Sequence, residues 1–271
     1  MKLFGIIGNP LDHSLSPKIF NALFKKKRLP FRYLSFQVEK NHLKNLVRCM
    51  KLCDIEGLNV TAPFKEAVIP HLDGLDPFAK QCGAVNTIVR QKNRFVGFNT
   101  DGPGFVWALK EKAKVLPKNK TVLLIGAGGA ARGIAAALAA NGAKKIIVFN
   151  RHPLRAKKMG QHLKKYFPKT IWQTLPLAAK KLKTVLPQTN LLIQTTPSLL
   201  ALPISLLSQE AIVCDILYGK GETKLLKAAK KRRLKTVNGL SLLHFQILLN
   251  QKLWGLPPFP LPGRERPSPT R

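Results

Sequence analysis

The chain has 271 residues, 46 of them Lys or Arg against 13 Asp or Glu, which gives a formal net charge of +33, and 45% of it is hydrophobic. That length accommodates one large or two medium domains, each able to bury a core, and with this apolar content it excludes a disulfide-built miniprotein and a disordered tail. The charge raises nucleic acid as a partner, but the lysines are scattered, and the runs Lys25-Lys26-Lys27-Arg28 and Lys230-Lys231-Arg232-Arg233 carry no interleaved aromatics. Solvated helix faces are the expectation for both runs, with no specific nucleic-acid partner.

In chain order, Leu3 to Ile7 reads as a strand, Ser16 to Lys27 as a capped helix opening near Ser-Pro, and Arg32 to Val38 as a second strand. Asn41 to Leu52 has helical apolar spacing, Gly57 to Val60 is a short strand and Phe64 to His71 a short helix. Val85 to Arg90 and Arg94 to Phe98, parted by Gln91-Lys92-Asn93, read as a hairpin, which makes the first sheet mixed. A second βαβ series starts after Pro117, with strands at Thr121 to Ile125, Lys145 to Phe149, Ile171-Trp172, Leu191 to Gln194 and Ala211 to Cys214. Helices lie between them, the first from Gly128 to Ala140, and this alternation predicts a doubly wound sheet. After Gly239 comes one more amphipathic helix, Ser241 to Trp254, and then a proline-rich tail expected to fray.

The fold class expected is α/β in two domains, with the active site in the cleft between them. An N-terminal substrate domain with a mixed sheet covers 1–101 and a Rossmann-like domain covers 102–238. A C-terminal helix over 239–256 returns to the first domain, and 257–271 is a flexible tail. Cys49, Cys53, Cys82 and Cys214 lack paired C-x-x-C spacing, so reduced core thiols are expected and no metal site. Met1 to Gly5 is no signal peptide, and Val122 to Ala143 is too rich in Ala and Gly to span a bilayer. A cytoplasmic protein with no membrane partner follows, either a monomer or a homodimer.

Gly126-Ala127-Gly128-Gly129-Ala130-Ala131 follows a hydrophobic strand and opens a helix, the context that gives a glycine pattern its meaning. Gly126 permits the tight turn, Gly128 lets a pyrophosphate approach the backbone, and Ala131 allows close packing. The helix N-terminus supplies unpaired N–H groups and positive potential. An NAD-preferring site places Asp or Glu at the end of the next strand, where this chain has Asn150-Arg151 and then Arg155. Guanidiniums suit a 2′-phosphate, so NADP is the expected cofactor.

Three polar clusters punctuate the strands of the first domain: Asn9 to Ser16, Asn59 to Lys65, and Asn86-Thr87 with Asn99-Thr100-Asp101. Taken singly, Ser14 or Ser16, Thr61 and Asp101 each read as helix caps. Together they bring hydroxyls, amides, one Lys and one Asp to one crevice, a composition suited to a small polyhydroxylated acid.

At these residues the chain resembles the shikimate dehydrogenase family along almost its whole length. Gly8-Asn9-Pro10-Leu11-Asp12-His13-Ser14-Leu15-Ser16-Pro17 is similar to the family's opening substrate motif and Asn59-Val60-Thr61-Ala62-Pro63-Phe64-Lys65 to its catalytic-lysine motif. Gly83 to Thr87, Gly97 to Gly102, the cofactor segments Gly126 to Arg132 and Asn150 to Arg155, and Asp215, Tyr218, Thr223 and Gln246 match in order. The resemblance implies NADP-linked interconversion of 3-dehydroshikimate and shikimate. It implies Lys65 and Asp101 at the reacting oxygen, and Ser14 and Ser16 on the substrate carboxylate. Thr61, Asn86, Asp101, Tyr218 and Gln246 would contact the carboxylate or the ring hydroxyls. It also implies a cofactor held by Gly126, Ala127, Gly128, Gly129, Ala130, Asn150, Arg151, Arg155, Thr195, Thr196 and Gly239.

Physical chemistry supports the paired roles. Hydride transfer to a ketone builds negative charge on oxygen, which an ammonium stabilises and protonates, while the carboxylate fixes that ammonium in place. Departures from the family pattern cluster beside the nicotinamide. Gln194 is longer than the usual Asn, Leu199 replaces a glycine, Lys220 a proline, and Ser241-Leu242 a Gly-Met pair. The competing readings are a quinate dehydrogenase of broader specificity and, from another class, a nucleic-acid-binding protein on a retained dehydrogenase fold.

Overall fold

The computed structural model describes residues 1–176, 179–197, 202–219 and 221–258. Two six-stranded sheets follow one another along the chain. The first is built from β1 (Lys2–Gly8), β2 (Phe31–Gln37), β3 (Ile55–Val60), β4 (Gly74–Leu75), β5 (Thr87–Gln91) and β6 (Arg94–Phe98), in the order β2-β1-β3-β5-β6-β4. Strands β2, β1 and β3 run parallel, while β5 is antiparallel to both β3 and β6. The mixed sheet and the hairpin are therefore as the sequence predicts, with Lys92 turning the hairpin at a φ of 57°. Helices α1 (Ser16–Lys26), α2 (Leu46–Leu52), α3 (Pro77–Cys82) and α4 (Asp101–Ala108) complete this part.

Several local expectations are corrected. The segment 64–71 is not a helix but a series of turns ending in a 3-10 turn at Ile69–His71. Val85 N–H takes the Lys65 carbonyl at 2.7 Å, removing an acceptor the helix ladder needs, and Pro70 supplies no N–H. The predicted helix over 41–52 divides into a 3-10 turn at Lys40–Asn45 and α2. No side chain caps α1, no helix follows Thr61, and Asp101 lies inside α4 rather than at its cap. Helix α3 was not expected; Asp76 caps it, accepting from Phe78 N–H at 3.1 Å and Ala79 N–H at 2.9 Å. Of the four thiols, Cys82 and Cys214 are buried, whereas Cys49 and Cys53 are exposed on and just after the short surface helix α2.

The second sheet contains β7 (Thr121–Ile125), β8 (Lys145–Asn150), β9 (Ile171–Pro176), β10 (Leu191–Gln194), β11 (Ile212–Asp215) and β12 (Lys235–Asn238). Helices α5 (Gly129–Ala140), α6 (Pro153–Tyr166), α7 (Ala179–Val185) and α8 (Lys224–Lys231) connect them. All of its strand pairs are parallel and the order is β12-β11-β10-β7-β8-β9, the doubly wound arrangement with its switch point between β7 and β10. Strands β10 and β11 are buried at every residue, because helices cover both faces. Strand β12 was not foreseen in its four residues, KTVN, which end in a buried valine and an exposed Asn.

Helix α9 (Gly239–Leu253) leaves the second sheet and packs Leu243 and Ile247 among Phe4, Phe20 and Tyr33 beneath the first. Trp254 then donates its indole N–H to the Ile88 carbonyl at 3.0 Å, its ring lying on Gly57 where any Cβ would collide. Helices α4 and α5 approach so closely that a methyl on Gly102 would strike the Gly133 carbonyl. The basic runs end α1 and α8; Lys25, Lys26 and Arg28 are exposed, but Arg232 donates to the Ile204 and Leu207 carbonyls instead of facing water. No described helix is long and apolar enough to cross a membrane. Leu199, Lys220 and most of the predicted tail, 259–271, lie outside the described residues.

Candidate active site

A cavity of ≈ 1010 Å³ opens where the strands of both sheets end, lined from one side by residues such as Ser16, Thr61 and Asn86 and from the other by Gly126 to Ala131. At its centre Lys65 Nζ lies 2.6 Å from Asp101 Oδ2, and the two side chains are 14% and 2% exposed. Lys65 comes from the turns after β3 and Asp101 from the first residue of α4, so a hydrogen bond spanning 36 positions in sequence joins them. Asp101 Oδ1 accepts from Asn86 Nδ2 at 3.0 Å and from Gln246 Nε2, on α9, at 2.6 Å. Three donors thus hold a nearly buried carboxylate, and a buried charge persists only when paired in this way.

Behind this pair runs a buried polar network. Tyr33 donates its hydroxyl proton to Asn59 Oδ1 at 2.7 Å, and Asn59 Nδ2 donates to the Asn86 carbonyl and to Thr87 Oγ1, both at 3.2 Å. Burial pushes the Tyr33 phenol well above its ordinary value, so it serves as a donor at all moderate pH. Burial, with the Asp101 charge beside it, also raises the Tyr218 phenol at the cavity wall.

The glycine turn lies next to the lysine. Gly126 has a φ of 117° that favours glycine, and a methyl on Gly129 would collide with the Lys65 side chain. Helix α5 begins on Gly128 with no side-chain cap, and a methyl on Gly128 would meet nothing within 4 Å. The first N–H groups of this twelve-residue helix therefore have no side-chain acceptor and face open space, which fits a bound phosphate. Strand β8 ends in Asn150 rather than a carboxylate, and Arg151 and Arg155 line the cavity beside it. These residues fit a dinucleotide carrying a 2′-phosphate.

Arg155 is not free. Its Nη2 donates to Glu66 Oε1 at 2.9 Å across the cleft, while Arg132 Nε lies 2.8 Å from Glu66 Oε2 in a bent charge contact. Arg155 is 55% exposed in this pair, so the pair is weak and readily exchanged for another anion.

Nearly all the residues expected at the site line this cavity. Ser16, Thr61, Lys65, Asn86, Asp101, Tyr218 and Gln246 do so on the substrate side. Gly126, Ala127, Gly128, Gly129, Ala130, Asn150, Arg151, Arg155, Thr195 and Thr196 do so on the other. Ser14 and Gly239 do not. Ser14 Oγ accepts the Ser16 N–H at 3.4 Å, and Gly239 packs on the Ile216 and Leu217 carbonyls, where a side chain has no room. Sequence reading missed Glu66, Tyr33 and Asn250. Asn250 carries a signal, since it breaks an apolar stretch of α9 four residues after Gln246, on the same helix face.

A doubly wound sheet whose glycine turn abuts a lysine–aspartate pair from a second α/β unit defines the class, a two-domain dinucleotide-dependent oxidoreductase. Residues 6–88 match the family model described as the shikimate dehydrogenase substrate binding domain, and residues 109–203 that of shikimate / quinate 5-dehydrogenase. The NADP(+) shikimate dehydrogenase of Geobacillus sp. is 41% identical over 93% of this chain and 92% of its own. The Thermus thermophilus shikimate 5-dehydrogenase solved with NADP(H) and shikimate superposes with a TM-score of 0.79, at 33% identity over 96% and 95% of the two chains. Quinate dehydrogenase from Corynebacterium glutamicum, solved with NAD, gives 0.86 at 28% identity, covering 96% of each. The chain belongs to the shikimate dehydrogenase family.

Proposed function

We propose that this protein catalyses the reversible NADP-linked reduction of 3-dehydroshikimate to shikimate. The single observation that carries the reading is the Lys65–Asp101 pair, 2.6 Å long and nearly dry, set against the glycine turn of the second sheet. Gly126 to Ala130 would hold NADP through its pyrophosphate, and the cofactor when bound would supply the hydride to the carbonyl carbon and take it back in reverse. As that carbon is reduced its oxygen gains negative charge, which the Lys65 ammonium stabilises and then protonates. Asp101, held by Asn86 and Gln246, aims the ammonium and balances its charge until the proton leaves. Ser16, with Ser14 behind it, takes the substrate carboxylate in this reading, and Thr61, Asn86, Tyr218 and Gln246 take the carboxylate or the ring hydroxyls.

Arg151 and Arg155 favour the 2′-phosphate, Arg155 exchanging its Glu66 partner for the phosphate. The domain division follows the sheets: 1–101 for substrate, 102–238 for NADP, and 239–256 returning to the first. We place the enzyme in the cytoplasm, where thiols stay reduced, and all four of its cysteines are free. Measuring formation of the reduced cofactor with shikimate and with quinate, each with NADP and with NAD, tests the reading. Highest turnover with shikimate and NADP is the expected result, and no turnover of shikimate with either cofactor overturns it. A quinate preference would support the broader-specificity reading suggested by the Corynebacterium neighbour.

A further inference from the structure

We infer that Asn250 is a specificity-determining residue whose side-chain Nδ2 donates a hydrogen bond to an oxygen of the bound hydroxy acid. The inference rests on the cavity being the shikimate site, as proposed above. Asn250 lines that cavity and is 3% exposed, so both ends of its amide need partners. Its Oδ1 has two, the hydroxyls of Thr87 at 2.9 Å and Thr100 at 3.2 Å.

Backbone groups set the direction of these bonds. Thr100 N–H, which only donates, lies 2.7 Å from Asn86 Oδ1, so Asn86 Nδ2 is the donor to Thr100 Oγ1 at 2.9 Å. The Asn86 carbonyl, which only accepts, lies 3.2 Å from Asn59 Nδ2, so Asn59 is the donor to Thr87 Oγ1. Each threonine hydroxyl therefore accepts from an amide and has a single proton to give; Asn86 Oδ1, at 3.1 Å from Thr87 Oγ1 and 3.2 Å from Thr100 Oγ1, already takes the Thr100 N–H, so the protons go to Asn250 Oδ1, the nearer acceptor for Thr87. This leaves Asn250 Nδ2 with two N–H bonds and no acceptor among the described residues, and the side of Asn250 not filled by Thr87 and Thr100 is the cavity.

Asn250 Nδ2 is not one of the sealed unpartnered donors and so reaches the cavity, where a ligand that displaces the water there must supply an acceptor in its place. The ligand that does so carries an acceptor oxygen besides the one Lys65 and Asp101 engage, either a second ring hydroxyl or the carboxylate. A site built to hydrogen-bond such an oxygen rejects an analogue that lacks it.

The test is a cycle between residue and substrate. Asn250→Asp keeps the acceptor for Thr87 and Thr100 and removes the donor; Asn250→Leu, of similar size, removes the donor without adding charge, leaves Asn86 Oδ1 within reach of both threonine hydroxyls, and serves if the aspartate variant does not fold. Both are assayed with shikimate, with analogues lacking one ring hydroxyl each, and with the carboxyl methyl ester. The variants are expected to raise KM for shikimate roughly tenfold while the Kd for NADP is unchanged. For one analogue, the substrate change and the residue change should cost no more together than either does alone. That analogue identifies the oxygen, and a merely structural role for Asn250 would not single it out. Unchanged KM in both variants, or additive losses with every analogue, overturns the inference. Absence of wild-type turnover on shikimate overturns instead the reading on which it rests.

Discussion

Lys65 separates chemistry from folding only in part, because its ammonium is also the counter-charge of a carboxylate that is 2% exposed. Lys65→Ala is expected to lower turnover by about 10²–10³, the cost of losing one donor to a developing oxyanion. It should also destabilise the fold by about 3 kcal/mol, since one partner of a nearly buried pair is removed. Asn86 and Gln246 remain on Asp101, so the variant still folds, and turnover measured beside urea denaturation reads both effects. Tyr33→Phe deprives Asn59 Oδ1 of its 2.7 Å donor and should cost about 1–3 kcal/mol in the same denaturation experiment.

Asp215 adds a dependence on pH. Burial raises its carboxyl above 3.8, against the opposing bonds from Leu217 N–H and Thr223. A carboxyl raised in the folded state binds its proton more tightly there than in the unfolded chain. Its contribution to stability is therefore complete below 3.8 and is lost as pH rises through the folded value. Asp215→Asn cannot titrate, so its urea midpoint should fall less than that of the wild type over that rise; parallel curves would exclude this role.

At the scale of elements, the start of α5 and the start of α6 would divide the labour of holding a cofactor. The uncapped N-terminus of α5 would take any pyrophosphate, whereas Arg155 at the start of α6 would read only the 2′-phosphate. Arg155→Ala should therefore raise the Kd for NADP roughly tenfold, the worth of a charge-assisted hydrogen bond, and leave that for NAD unchanged. Titration of cofactor fluorescence with both reduced forms checks it, and equal losses for the two would show that Arg155 does not discriminate between them. Helix α9 does different work. It rises from the second sheet yet buries Leu243 and Ile247 in the aromatic cluster of the first, carrying Gln246 and Asn250 to the substrate side.

Across the whole molecule, a charge of +33 surrounds a cleft whose proposed ligands are both anions. The field should speed their encounter, and salt should remove the gain. Thus kcat/KM is expected to fall as ionic strength rises from about 0.01 M to about 1 M, over which the screening length shrinks from about 30 Å to about 3 Å. A flat profile would show that the charge serves no such purpose. Glu66, paired with Arg132 and Arg155, ties the first unit to the second within the same field.

Strand β7, the glycine turn and α5 were legible residue by residue, because they depend on local apolar runs and on the conformational freedom of Gly126. The hairpin was legible for the same reason. The segment after Thr61 was not: its helical spacing is real, but the Lys65 carbonyl is taken by Val85, twenty residues on. Nor does sequence spacing bring Asn250 to Thr87, or Glu66 to Arg155, since those contacts exist only after α9 and α6 have packed against the first unit. Local preference writes the elements and their motifs into the chain. The partners of a buried polar group depend on which distant segments exclude water around it, and packing alone settles that.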